Sequence, residues 1–294
     1  MYGLTFEALI LQLFMGFALG MIFVLLAIGL SLIFGMLTVV NFAHGAFYTL
    51  GAYAALLAMA YLGNFWLALL LVPLFTGAIG LLLEGTAVRR LYGMNPDYPL
   101  LLTFGFSLIL IEIVRMIWGT ADHPFNCPPA LQEPVNLGPF LFPAYWLFLI
   151  AVTGAILIAL WFLLMKTNLG LIIRAGTRDS VMVGNLGIDL SRIWWLVFGI
   201  GTGTAGLAGI LAAPIRGVYP EMGVSMIIEC FVVVVVGGMG SLKGAIYSGI
   251  MLGIVVSLTT LIYPALSNVV IFLVMAVILL IRPSGLFGEK GLME

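Results

Sequence analysis

Long apolar stretches alternate with short polar connections along most of the chain. A helix that crosses a bilayer needs about 20 mostly apolar residues. The stretches that meet this requirement, and are therefore predicted to be membrane-spanning helices, are 9–34, 65–86, 99–119, 144–165, 194–213, 245–263 and 266–281. The predicted fold class is all-α, as a polytopic transmembrane helical bundle.

Two further apolar stretches are less regular. Residues 42–62 begin with the polar, flexible sequence NFAHG and contain Gly51, and residues 223–239 contain Glu229 and end in a glycine-rich turn. Irregular backbone persists at membrane depth only where protein or a water-filled cavity satisfies its polar groups. The pattern therefore predicts about eight membrane elements, or nine, with these two open to being short, broken or re-entrant.

Composition supports a membrane protein. Of the 294 residues, 63% are hydrophobic and only 8% are charged, whereas soluble domains carry about 25% charged residues. A water-soluble fold cannot hide so much apolar surface, so lipid must be the solvent for most of a single membrane domain over 1–294. The net charge of −1 gives no indication of nucleic-acid binding.

The placement of lysine and arginine indicates the orientation. Both residue types occur in the connections 87–98 and 166–193, at Lys243 and in the C-terminal tail, and the alternation of the predicted spans puts all of these on one side. The opposite loop, 120–143, contains neither residue type. Because lysine and arginine are enriched in cytoplasmic loops, we expect the first set, including the C-terminus, to be cytoplasmic. The side of the N-terminus stays open.

The 166–193 connection contains a predicted short helix. Asp179 can accept hydrogen bonds at the N-terminus of this helix, and Gly187 suits the position that ends it. Met182 and Leu186 are spaced i,i+4 and therefore share one face. A two-turn helix is not stable alone in water, so its apolar face needs a partner. That partner is either the membrane domain of the same chain or another protein.

Two glycine-rich sequences resemble nucleotide-binding loops only superficially. The sequence GTGTAG at 201–206 follows no strand and lies inside an apolar span, where Gly199 and Gly203 indicate close helix packing. The sequence GGMGSLKG at 237–244 lacks the spacing of a phosphate-binding loop. The sequence thus predicts no ATP site, no cofactor and, since no cluster has metal-ligand spacing, no metal site. No nucleophile–base pair indicates an enzyme.

Charged residues also fall inside apolar stretches. Glu112 and Arg115 are spaced i,i+3 in one span, and mutual pairing reduces the cost of burying them, so we interpret them as a structural ion pair. Glu229 has no in-helix partner within reach. Two interpretations of Glu229 stay open, because it can be a functional acid of the transport path or a protonated group bonded to another helix.

The irregular segments predict a translocation path. Asn41 and His44 interrupt an apolar stretch, and Gly237 and Gly238 interrupt another in the second half of the chain. Corresponding interrupted segments are typical of inverted repeats around a central path. We therefore predict an inverted repeat and assign these four residues, with Gly45 and Glu229, to the path. A purely structural role for His44 is the alternative.

Several segments together resemble a known family. The sequences TVVNFAHGAFYTLGAYAA (38–55), VVVVGGMGSLKGAIYSGIMLG (233–253) and RPSGLFG (282–288) are similar to signature segments of the branched-chain amino acid ABC importer permeases, in the shorter of their two permease types. IEIVRMIWG (111–119) and APIRGVYPEMG (213–223) are similar at the corresponding places. The resemblance extends over essentially the whole chain.

This resemblance implies a function and a set of partners. In the family, the large cytoplasmic loop carries a coupling helix that docks on the ATPase, so Arg174, Asp179, Met182, Leu186 and Gly187 are expected to form the ATPase-coupling site. The implied partners are a second homologous permease, two cytoplasmic ATPase subunits that bind ATP and Mg²⁺, a periplasmic substrate-binding protein and the bilayer of a bacterial inner membrane.

Alternatives stay open at two levels. Members of the family also carry amides, urea or small aromatic acids, so branched-chain amino acids are one candidate substrate class among several. A function of another class would be an ion-coupled secondary transporter or channel. The charged 166–193 connection favours the ABC importer, because its short helix needs a partner for its apolar face.

Overall fold

The computed structural model describes residues 6–37, 41–137 and 140–288. These ranges are mostly helical, with a single small hairpin. The helices are α1 (Phe6–Leu37), α2 (Ala43–Leu62), α3 (Phe65–Thr86), α4 (Asp97–Trp118), α5 (Ala144–Lys166), α6 (Asn168–Arg178), α7 (Ser180–Asn185), α8 (Leu190–Arg216), α9 (Met222–Gly237), α10 (Leu242–Ile262) and α11 (Ser267–Ile281). The strands of the hairpin are β1 (Pro134–Leu137) and β2 (Phe140–Pro143), which pair antiparallel.

Eight helical segments in the described ranges are long and apolar enough to cross a bilayer. The predicted polytopic helical bundle is therefore confirmed. The ninth apolar helix, α9, has only 16 residues, which is about 24 Å and less than a full crossing requires. The second irregular stretch is thus short, as its sequence indicated. The hairpin was not predicted, and it lies in the connection between α4 and α5.

The first irregular stretch, residues 42–62, forms a continuous helix. Helix α2 runs without interruption over 20 residues and is one of the candidate spans. Gly51 does not break it, because its missing side chain instead lets α2 approach α8 closely, and a Cβ there would lie 2.5 Å from the Cα of Gly206. Glycine at such a contact brings two backbones together, as it does in other membrane helices.

The chain forms two compact units. One takes the residues up to Ala27, Asn126–Ile156 and the chain from Glu229 onward, and the other takes Ile28–Phe125 and Leu157–Ile228. The two sets alternate along the sequence, so each unit is assembled from segments that are distant in the chain.

The larger unit is built around α8. The buried middle of this helix packs against α2 and α3 through small residues on both sides of each contact. A Cβ on Gly77 of α3 would lie 3.1 Å from the Gly199 carbonyl oxygen, and one on Gly203 would lie 3.0 Å from the Pro73 carbonyl oxygen. The interpretation of Gly199 and Gly203 as a helix-packing pair is therefore confirmed.

In the other unit, glycines likewise allow α1 and α10 to approach closely. A Cβ on Gly16 would lie 2.8 Å from the Cα of Ile254, and one on Gly20 would lie 2.8 Å from the Cα of Ile250. Close approach of this kind replaces the hydrophobic effect as a source of helix association, because lipid is as apolar as the side chains.

Candidate functional site

The polar start of α2 is buried inside the larger unit. Asn41 and His44 are both 0% exposed. The Ala43 N–H donates to Asn41 Oδ1 at 3.1 Å, so the side chain of Asn41 supports the first turn of α2. Asn41 Nδ2 has no hydrogen-bond partner among the described residues. The side chains of Asn41 and His44 therefore lie in the interior of the unit.

Gly45 lies where α2 meets the start of α9. A Cβ at this position would lie 2.8 Å from the Cβ of Ile227. The Gly223 N–H donates to Thr49 Oγ1 at 3.0 Å, which ties α2 to α9 one turn further along. Gly45 thus allows close helix contact here, and its assignment to the path stays a prediction. Thr49 was missed, because a single threonine in an apolar run gives no signal of a distant partner.

The path residues of the second half fall in the other unit. Glu229 lies within α9, half-buried, beside the fully buried Cys230. Gly237 and Gly238 are buried at the C-terminal end of the same helix, and Gly238 has φ +100°. A Cβ on Gly237 would lie 2.8 Å from the Ala245 N, which shows tight packing of α9 on α10. A transport role for these three residues stays a prediction.

The RPSGLFG sequence closes the end of α9. The N–H groups of Leu286 and Phe287 donate to the carbonyl oxygens of Val236 and Gly237 at 2.9 and 3.0 Å. The last carbonyls of a helix have no intrahelical partner, so residues 282–288 supply donors that the helix itself lacks. The Phe287 ring stacks on Tyr247 of α10 with centroids 5.3 Å apart.

An ionic cluster lies near the end of α4. Arg115 pairs with Glu112, as predicted, and also with Glu221 in the connection between α8 and α9. Glu221 was missed, since 106 residues separate it from Arg115. The hydrogen bond from Arg115 lowers the pKa of the Glu221 carboxyl. At the same end of the unit, the backbones of His123 and Val218 form a two-bond bridge.

The predicted short helix of the 166–193 connection is present as α7. Asp179 Oδ1 accepts from the Met182 N–H at 2.8 Å, and Gly187 has φ +80°, as expected for the residues that begin and end it. We call residues 179–187 the coupling segment. Met182 and Leu186 are 59% and 71% exposed, whereas Val183 is buried. The helix therefore packs on its own chain through one side chain and presents an apolar surface outward.

Arg174 lies in the preceding helix, α6. Its guanidinium Nη1 is 3.6 Å from Met165 Sδ, and the residue is half-buried. On the same helix, Leu171 is 60% exposed. Leu171 was not assigned to the coupling site by the sequence.

A polar junction between the end of α3 and the start of α8 was not predicted. Glu84 is fully buried and accepts hydrogen bonds from Arg89 and from the Tyr92 hydroxyl. Arg89 also donates to the Ser191 carbonyl oxygen in the first turn of α8. We call this the α3–α8 junction. Burial, together with the hydrogen bond to Glu84, raises the pKa of Tyr92 well above its usual range.

The glycine-rich sequences have structural roles. Residues 201–206 lie in the buried middle of α8, and Ser241 begins α10 by accepting from the Gly244 N–H at 3.1 Å. Across the described ranges, no group of three histidine, cysteine or acidic residues is arranged to hold a metal ion.

Comparison with known proteins decides the family. A family model described as "Branched-chain amino acid transport system / permease component" matches residues 12–279. The chain belongs to the branched-chain amino acid transport permease family. The permease is 31% identical over 299 residues to the high-affinity branched-chain amino acid transport system permease protein BraD of Pseudomonas aeruginosa, with 95% of each chain covered.

Two relatives from Escherichia coli carry different names. The permease is 30% identical over 295 residues to LivH, with 95% of each chain covered. It is 29% identical over 263 residues to LivM, covering 79% of this chain and 60% of that protein. Both are named as high-affinity branched-chain amino acid transport system permease proteins. The full-length match to LivH agrees with the shorter permease type to which the signature sequences pointed.

Proposed function

We propose that this chain is the permease subunit of an ATP-driven importer and forms half of the translocation path for branched-chain amino acids. The observation that carries the proposal is the family match over residues 12–279, with relatives named for this transport. The eight helical segments that can cross a bilayer supply the membrane scaffold that such a subunit needs.

The chain works with separate subunits. LivH and LivM are both named as permease proteins of a branched-chain amino acid transport system, which supports a second, related permease beside this one. Two cytoplasmic ATPase subunits bind ATP and Mg²⁺, and a periplasmic binding protein delivers the substrate. The exposed apolar side chains of the coupling segment support ATPase docking. A two-turn helix is not stable alone in water, and a partner that covers these side chains would stabilise it.

The orientation follows the positive charges. We assign the chain to the bacterial inner membrane, with the coupling segment, the α3–α8 junction and the C-terminus in the cytoplasm. The hydrogen bond from Arg89 to the Ser191 carbonyl oxygen supports this assignment, since it joins two of the basic connections at one end of the larger unit. The Arg115 cluster then faces the periplasm.

The proposed path includes the buried start of α2 and the glycine-rich end of α9. Asn41 is the best supported residue, because its side-chain amide is fully buried and its Nδ2 lacks a partner among the described residues. A buried donor without a partner calls for an explanation, and a polar lining of the path would supply one. His44, Gly45, Glu229, Gly237 and Gly238 complete the proposed set.

Reconstitution tests this function. The permease pair, the ATPase subunits and the binding protein are placed in liposomes, and uptake of labelled leucine, isoleucine and valine is measured with and without internal ATP. We expect uptake only with ATP, and competition by the three amino acids but not by acetamide, urea or benzoate. Uptake by this chain without the ATPase, driven by an ion gradient, would instead assign it to the secondary transporters.

A further inference from the structure

The end of α3 holds a fully buried carboxylate whose donors come from the connection that follows. Glu84 accepts from Arg89 Nε at 3.4 Å, from Arg89 Nη2 at 3.1 Å and from the Tyr92 hydroxyl at 2.7 Å. A buried charge is tolerated only when it is paired and hydrogen-bonded. Glu84 therefore fixes the course of residues 87–92.

Arg89 and Tyr92 also contact α8. Arg89 Nη2 donates to the Ser191 carbonyl oxygen at 3.4 Å, and the Tyr92 ring meets Trp194 edge to face with centroids 5.0 Å apart. The adjacent Trp195 Nε1 donates to the Leu81 carbonyl oxygen of α3 at 2.8 Å. Two hydrogen bonds and one aromatic contact thus hold the first two turns of α8 against the end of α3 and the connection that follows it.

The first turn of α8 directly follows the coupling segment. Asp189 begins α8 by accepting from the Ser191 N–H at 3.1 Å, only two residues after Gly187. Within the coupling segment, Val183 is the buried side chain, so the segment has little attachment of its own to the unit. A displacement of α7 can therefore reach the membrane helices through the start of α8.

We propose that Glu84 is a positioning residue for coupling, which holds Arg89 and Tyr92 so that the first turn of α8 presents the coupling segment in a fixed orientation to the ATPase. The proposal rests on the proposed function, since it requires an ATPase on this surface. It assigns a role to a residue that lies inside the protein and touches neither the ATPase nor the substrate.

The competing explanation is that Arg89 itself contacts the ATPase, and a double-mutant comparison separates the two. In Arg89→Gln the buried Glu84 loses its cation, whereas in Glu84→Gln plus Arg89→Gln both charges are absent and the two amides can still hydrogen-bond. Arg90→Gln is the matched control, because Arg90 is exposed and forms no ion pair among the described residues.

The readout is the ratio of ATP hydrolysis with leucine-loaded binding protein to basal hydrolysis, in the complete complex in lipid. Coupling free energies commonly correspond to effects of about 5- to 150-fold, and we expect Arg89→Gln to lower the ratio by about fivefold or more. The double variant should recover most of it, and Arg90→Gln should match the wild type. A double variant as impaired as Arg89→Gln, or an unaffected Arg89→Gln, would overturn the proposal.

Tyr92→Phe provides a second test that does not depend on a buried charge. It removes one hydrogen bond to Glu84 and keeps the ring against Trp194. We expect normal expression and assembly with a lowered ratio, and an unchanged ratio would overturn the proposal even if Arg89→Gln fails to fold. If the wild-type complex shows no stimulation at all, the proposed function fails before the role of Glu84 is reached.

Discussion

Replacing Met182 and Leu186 with aspartate should detach the ATPase while leaving the membrane helices intact. These two side chains are the exposed apolar groups of the coupling segment that share one face, and Val183, which holds the helix to its own chain, is unchanged. The substitutions lie outside every candidate span. The perturbation is therefore confined to the surface on which docking is proposed.

The size of the effect follows from the exposed fractions. Burying one large aliphatic side chain completely contributes about 1.5–3 kcal/mol. Met182 and Leu186 are 59% and 71% exposed, so docking can still bury that share of each, and together they contribute about 2–4 kcal/mol. Since 1.4 kcal/mol is a factor of ten, losing them weakens docking by about thirtyfold to several hundredfold. Two carboxylates that cannot be buried unpaired weaken it further.

The assay is copurification of the tagged double variant with its partners, followed by ATP hydrolysis in lipid. We expect the ATPase to be lost, and stimulated hydrolysis and uptake to fall together. The matched control is Val135→Asp plus Leu141→Asp, which places two carboxylates on exposed apolar positions of the hairpin. An intact complex that still responds to loaded binding protein would refute docking on the coupling segment.

Other predictions concern the residues of the proposed path and the Arg115 cluster. Asn41→Leu plus His44→Leu should insert and assemble normally but transport poorly, as uptake at matched expression would show; full uptake would remove both from the mechanism. Glu229→Gln should be nearly silent in the same assay, because an ATP-driven importer needs no coupling proton and the amide still donates a hydrogen bond; a well-assembled variant without uptake would contradict this. Glu221→Gln should slightly lower the thermal stability of the detergent-solubilised protein at neutral pH, because an exposed ion pair contributes little. Because Arg115 lowers the pKa of Glu221, this stabilisation is present above the ordinary glutamate pKa and is lost as the pH falls through the lowered value. The difference in melting temperature between the two proteins should therefore shrink in acid, and a difference independent of pH would argue against the ion pair.

Features that depend on neighbouring residues could be predicted from the sequence. Asp179 and Gly187 begin and end a helix through contacts within a few residues, so their roles are visible in the sequence. Gly199 and Gly203 lie one turn apart, and their spacing alone indicates a packing face. The long apolar helices follow from the thickness of the bilayer.

Contacts between distant segments could not be predicted. Nothing near Arg115 indicates Glu221, and nothing near Thr49 indicates Gly223, because each pair is brought together by the packing of whole helices. Glu84 is a charged residue inside the predicted span 65–86, but nothing near it indicates that the following turn brings Arg89 back onto it. The sequence could not decide whether 42–62 is broken, because polar residues in an apolar stretch can mark a break or, as here, lie buried at the start of a continuous helix.

The closure of α9 by residues 282–288 has a consequence for biosynthesis. The acceptor carbonyls of Val236 and Gly237 are made before α10 and α11, whereas the N–H donors of Leu286 and Phe287 leave the ribosome only after both helices have been translated. Until then, the end of α9 has to satisfy its carbonyls with water or with other proteins. A nascent chain stalled after α11 would contain all eight candidate spans of the described residues and still lack these two hydrogen bonds.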